Sequence, residues 1–335
     1  MKRKDGIDVI KAIAIFCVVL AHTCSPGYYA AGFDFYASVF WGSLFRMAVP
    51  LFLMCTGALL LDPEREFNAV PFLKKNYLRI LIALFFWAAM YKLYHLAVGG
   101  AITGNNVLYA LKELVLFKHE FHLYYLHITL LLYAFLPVLR VLTKHAGKGT
   151  LVWLLVLWAL TGIIYPTVRP FWPFRLLDGV PAQWMMNMAW ASFGYALLGY
   201  FLMKYPMKRW VGAVLFAAGF AVVFGGTLIM SRDGLYEGFL EGMSVGVALK
   251  AAGLFGMLSG VRLRRTGFVR YIAKASFCVY LIHIFIISEA ARLGWSIFLF
   301  PCAVSIPVAA AITLAICCGI YFVLSKIPLV KKYLV

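Results

Sequence analysis

Apolar stretches long enough to cross a lipid bilayer recur along the whole chain, near residues 9–27, 39–61, 78–98, 122–143, 150–166, 183–203, 210–230, 241–260, 268–290 and 297–325. A hydrocarbon core about 30 Å thick takes roughly 20 helical residues, because each rises about 1.5 Å and a helix satisfies its own backbone where no water is present. The pattern therefore predicts an all-α fold: a polytopic integral membrane bundle of about ten transmembrane helices. The stretch between Thr150 and Pro166 is short, and it is retained because the alternation of charge described below requires it. Neither a low-complexity tail nor a Gly/Ser linker interrupts the chain, so residues 1–335 read as a single transmembrane domain.

Composition excludes the soluble alternative. Of the residues, 64% are hydrophobic and 13% charged, whereas a soluble domain is about 45–50% apolar and about 25% charged. No polar surface would remain to cover so much apolar material, and lipid is the natural solvent for the excess.

The net charge of +18 would suggest nucleic acid if it formed a stripe on one soluble face. Instead the cations fall between the apolar stretches. With the amino terminus in the cytoplasm, the inside segments collect Lys2, Arg3, Lys4, Arg65, Lys74, Lys75, Arg79, Arg140, Lys208, Arg209, Arg262, Arg265, Lys331 and Lys332 among others. The outside segments hold only Lys112, Lys118, Arg169, Arg175, Arg232 and Arg292. This bias predicts both termini in the cytoplasm, a multi-pass protein of the cell inner (plasma) membrane, and membrane lipid rather than nucleic acid as its charged partner. A cleaved signal peptide fits poorly, because the first apolar run is long, carries Lys11 and His22, and is not promptly followed by a small-x-small site.

The seven cysteines, Cys17, Cys24, Cys55, Cys278, Cys302, Cys317 and Cys318, all lie in apolar stretches without a CxxC pair. They read as small packing residues, with neither a disulfide framework nor a zinc site.

Chemistry is then sought among polar groups inside the spans, where ionisable side chains are costly. Lys11 and His22 are eleven residues apart in the first span and so share one helix face, separated by about 16 Å along the axis. A snorkelling lysine and a satisfied core histidine are the bland alternative. Arg46 stands in the second span ahead of Ala48-Val-Pro-Leu-Phe-Leu-Met-Cys-Thr-Gly57, where Pro50 and Gly57 loosen the helix. A guanidinium there suits an anion or an acyl oxygen, or else snorkels to the interface. In His119-Glu-Phe-His-Leu-Tyr-Tyr-Leu-His127, the three histidines lack the i, i+4 spacing of a metal pair, and no metal is expected. Tyr124 and Tyr125 beside His122 fit a sugar-stacking surface or an aromatic belt. Ser276, Tyr280 and His283 share one stripe of the ninth span, but seven residues separate Ser276 from His283, too far for a nucleophile and its base to bond directly.

Together these segments resemble the acyltransferase-3 family of membrane acyltransferases, most closely its branch that includes the enterobacterial common antigen O-acetyltransferase. The resemblance covers nearly the whole chain, through Gly6-Ile-Asp-Val-Ile-Lys-Ala-Ile-Ala with His22, Val49-Pro-Leu-Phe-Leu-Met-Cys-Thr-Gly57, Phe72-Leu-Lys-Lys-Asn-Tyr-Leu-Arg79, His122-Leu-Tyr-Tyr-Leu126 and Ser276 to His283. The family's first-helix arginine is replaced by Lys11, its Ser-Gly by Thr56-Gly57, and its Arg-x-x-Arg by Asn76 and Arg79. The resemblance implies transfer of an acyl group, commonly acetyl, from cytoplasmic acyl-CoA to a hydroxyl of an envelope glycan or lipid-linked sugar. His22 is expected as general base, with Arg46 and Lys11 steadying negative charge. Lys74, Lys75 and Arg79 are expected at the acetyl-CoA phosphates, and His122, Tyr124, Tyr125 and His283 at the acceptor. Direct transfer and a covalent acetyl-histidine both fit, and self-association stays open. The rival class is a transporter or exopolysaccharide exporter, which also suits many spans with buried cations.

Overall fold

The computed structural model describes residues 5–99, 102–232, 234–264 and 266–335. Lys2, Arg3, Lys4 and Arg265, counted above among the inside charges, lie outside the described residues. All regular structure among the described residues is helical. In chain order the helices are α1 (Asp5–Thr23), α2 (Phe33–Phe45), α3 (Ala48–Leu60), α4 (Ala69–Val98), α5 (Gly104–Val115), α6 (Tyr124–His145), α7 (Lys148–Val168), α8 (Met188–Lys204), α9 (Arg209–Met230), α10 (Val245–Leu258), α11 (Gly267–Arg292), α12 (Cys302–Leu324) and α13 (Pro328–Tyr333).

Among the described residues, 8 helical segments are long and apolar enough to cross a membrane, which makes this an all-α polytopic membrane protein. Each of the apolar stretches read from the sequence contains a helix. The two read at 183–203 and 241–260 are the shorter helices α8, of 17 residues, and α10, of 14. The second segment runs from Phe33 to Leu60 but breaks at Arg46 and Met47, which separate α2 from α3.

The chain divides into two compact units, Met1–Arg65 with Leu139–Gly319, and Glu66–Val138 with Ile320–Val335. Local chemistry sets the helix ends in both. Asp5 and Asp8 favour the positive amino end of α1. The side chains of Asn187 and Ser244 accept from the main-chain N–H of Trp190 and Val247 to start α8 and α10. At the far end of α3, the otherwise orphaned carbonyls are taken up by cations and a hydroxyl. Arg65 Nη1 donates to Leu59, Arg140 Nη1 to Leu60, and Thr143 Oγ1 to Leu61.

Helix pairing in the first unit relies on missing side chains. A Cβ at Gly57 would fall 1.8 Å from the Ala196 carbonyl oxygen, and one at Gly199 would fall 2.1 Å from that of Met54. No other residue lets α3 and α8 approach so closely. Gly219 against Gly246 and Gly212 against Gly253 do the same for α9 and α10. Lipid offers no hydrophobic drive for helices to associate, so backbone contact of this kind supplies the packing.

Candidate functional site

The first unit gathers four of the candidate residues. His22 lies in the last turn of α1, half-buried, just before the chain turns at Cys24, Ser25 and Pro26. His283 of α11 is fully buried, and its ring centre lies 5.1 Å from that of His22, with the planes 40° apart. The Nδ1 of His283 faces two main-chain carbonyls of its own helix, Val279 at 3.1 Å and Tyr280 at 2.8 Å. A ring nitrogen facing two carbonyls must carry the hydrogen, so the neutral imidazole keeps its lone pair on Nε2. Ser276 turns its Oγ back to the Ala273 carbonyl, 3.0 Å away within the same helix.

Arg46 sits where α2 stops. Its backbone leaves the helical region at φ −74° and ψ 49°, which releases the side chain from the helix surface. Its Nε donates to the Leu240 carbonyl at 2.9 Å. The guanidinium charge reaches Cys24, Tyr28 and Lys250. Cys24 is two residues beyond His22, and its Sγ and the Tyr28 hydroxyl are 3.3 Å apart. Lys11 is half-buried earlier on α1, where its charge and that of Asp8 bear on Cys55 of α3.

Lys250 was not among the sequence candidates. Its side chain is fully buried in α10, and its Nζ donates to the Ser43 carbonyl near the end of α2, within electrostatic reach of Cys17 and Arg46. The Ser43 Oγ is buried with no hydrogen-bond partner among the described residues. The signal that could have found Lys250 is a single ammonium inside the apolar run Val245-Gly-Val-Ala-Leu-Lys250-Ala-Ala-Gly-Leu254, since such a charge rarely persists in a span without a task.

The remaining candidates belong to the second unit. Lys74 and Lys75 are exposed on a π-helical stretch, Leu73–Tyr77, at the start of α4. Arg79, one turn on, is half-buried, and its Nη2 donates to the Val335 carbonyl, with Tyr133 and Tyr321 nearby. His122 is buried with its ring edge-on to Tyr91, centres 4.9 Å apart. Tyr124 is exposed and Tyr125 half-buried. His119 pairs instead with His127, Nδ1 to Nε2 at 3.3 Å, while its Nε2 meets the Leu114 carbonyl at 3.0 Å. Among the described residues, no three His, Cys, Asp or Glu side chains converge as a metal site would require.

A model of the acyltransferase-3 family, described as an acyltransferase domain, matches residues 4–323. The chain belongs to the acyltransferase-3 family. The match runs through both compact units, so family membership attaches to the chain as a whole, a multi-pass membrane acyltransferase. Neither the curated proteins nor the solved structures contain a significant match to it.

Two ion pairs stand out electrostatically, one in the loop after α7 and one between α5 and α4. Arg169 and Asp178 are joined at 2.5 Å, and the carboxylate holds the guanidinium above its usual range. Glu113 of α5 meets Lys92 at 2.6 Å, and the ammonium holds its carboxyl below the usual carboxylate value.

Proposed function

We propose that the protein is an O-acyltransferase, most simply an O-acetyltransferase of the branch that includes the enterobacterial common antigen enzyme. It would work in the inner (plasma) membrane with both termini cytoplasmic, moving an acyl group from cytoplasmic acyl-CoA to a hydroxyl of an envelope glycan or lipid-linked sugar. The observation that carries this reading is the packing of His22 against His283, two imidazoles from distant helices inside one membrane unit.

In the proposed reaction His22 removes the acceptor hydroxyl proton as that oxygen attacks the thioester carbonyl. Collapse of the tetrahedral adduct breaks the C–S bond, and the leaving thiolate takes the proton back from the His22 imidazolium. Arg46 balances the developing oxyanion, with Lys11 further along α1. His283, with its hydrogen fixed on Nδ1, serves as a positioning residue that packs against the His22 ring. Exposed Lys74 and Lys75, with Arg79 beside them, supply charge for the phosphates of acetyl-CoA. His122, Tyr124 and Tyr125 offer aromatic faces to the acceptor sugar.

The decisive test is thiol release from acetyl-CoA by purified protein, with and without an acceptor glycan, for wild type and His22→Ala. Acceptor-dependent release lost in the variant supports the assignment. Full release by a folded His22→Ala protein sinks it, and an exporter would release no thiol with either protein.

A further inference from the structure

Beyond the candidate residues, the second unit holds a divided cleft between α4 and α5. On one side is a cavity of about 390 Å³ lined by Lys92, His95, Asn106, Tyr109 and Glu113. On the other is a smaller apolar cavity of about 190 Å³ lined by Ala89, Leu93, Ile102, Val107 and Leu111. Lys92, Leu96 and Ala110 line both, so the two compartments share a wall.

The polar compartment is built and electrically balanced. Lys92 Nζ meets Glu113 Oε2 at 2.6 Å, and the Tyr109 hydroxyl is bonded to the same carboxylate. His95 Nε2 stands 3.3 Å from Glu120 Oε1. A phosphate head would need a cation free of a carboxylate, and Lys92 and His95 each face one. Hydroxyls can both donate to and accept from such a set, which suits an uncharged, hydroxyl-rich head. The size lies within the range of about 300–1,000 Å³ typical of small-molecule sites.

Apart from the shared Lys92, the other compartment offers hydrocarbon contact. Leu108, Leu111 and Val115 leave α5 strongly exposed, and that surface suits the boundary between lipid and headgroups.

We propose that the α4–α5 cleft binds a glycolipid, its sugar head beside Tyr109 and Glu113 and its hydrocarbon chain across Ala110 into the apolar compartment. The proposal deepens the acyl-transfer reading, on which it rests for the role of the bound sugar as acceptor.

The test is equilibrium binding of radiolabelled dodecyl glucoside, below its micellar concentration, to the full chain in phosphatidylcholine nanodiscs. Saturable binding is expected, resisted by neither free glucose nor dodecylphosphocholine at matched concentration. Tyr109→Phe keeps the ring and should weaken binding roughly fivefold, the value of one hydrogen bond. Ala110→Trp, which fills the junction, should reduce it by about tenfold or more, as a steric block does. Absence of saturable binding, wild-type binding by both variants when folded, or equal competition by dodecylphosphocholine overturns the proposal. Thiol release with a water-soluble sugar acceptor is measured in parallel. Intact release with no glycoside binding overturns the cleft alone, whereas binding without release overturns the acyl-transfer reading.

Discussion

The imidazole of His283 lies 5.1 Å, centre to centre, from that of His22, although 260 residues separate them in the chain. One ring comes from the end of α1 and the other from the middle of α11. His283 is held by two carbonyls of its own helix, so its position is fixed before any substrate arrives, and His22 is the half-buried partner left to meet one.

His22→Ala should lower acyl transfer by about 10²- to 10⁴-fold, the usual contribution of a general base, with the melting temperature unchanged. His283→Gln should lower it less and move the pH profile of the reaction, because a positioning residue acts through the ring it holds. The measurement is acceptor-dependent thiol release across pH. An unshifted profile with His283→Gln would remove His283 from that role.

Lys250→Met keeps much of the side chain but removes the donor to the Ser43 carbonyl. That carbonyl belongs to the last turn of α2, where intrahelical partners are missing. An unsatisfied buried acceptor costs about 1–3 kcal/mol, so the variant should melt at a lower temperature in detergent. Because the same bond fixes the end of α2 beside Arg46, transfer should fall as well. A melting point at or above wild type would show that the ammonium is not holding the helix end.

Gly57→Ala should be severely destabilising, because the added carbon would overlap the main chain of α8 at 1.8 Å and neither backbone can yield cheaply. Gly225→Ala, inside α9 with open space around it, should be neutral or stabilising by up to about 1 kcal/mol. Thermal melts of the two variants, each differing from wild type by one methyl group, test the packing directly.

Binding of the glycoside should hold steady from neutral pH down to mildly acid conditions. Lys92 holds the Glu113 carboxyl below its ordinary value of 4.5, so the pair is complete above that value. It is lost only as the pH falls through the lower value of the folded state. A decline that begins well above 4.5, measured by the same equilibrium binding, would show that the Lys92–Glu113 pair does not govern the pH dependence.

The helices themselves were legible in the sequence because transfer of a segment into lipid is a local property. It depends on the length and hydropathy of one run, which is why every apolar stretch folds as helix, one of them as two, and why the first-helix and second-span motifs already pointed to the family. The break at Arg46 and Met47 was less legible. Pro50 and Gly57 drew attention to α3, but the helix yields before either, at the residue whose guanidinium finds the Leu240 carbonyl.

What the sequence determined by itself was the membrane class, the run of spans and the residue types capable of the chemistry. Tertiary structure decided which of those residues meet. Nothing near Lys250 names Ser43, 207 positions earlier, and nothing near His22 names His283. Those pairings follow from which helix faces touch, and close approaches such as Gly57 on Ala196 set the faces. Contacts of that kind depend on the shapes of two surfaces at once, whereas hydropathy reports on one segment at a time.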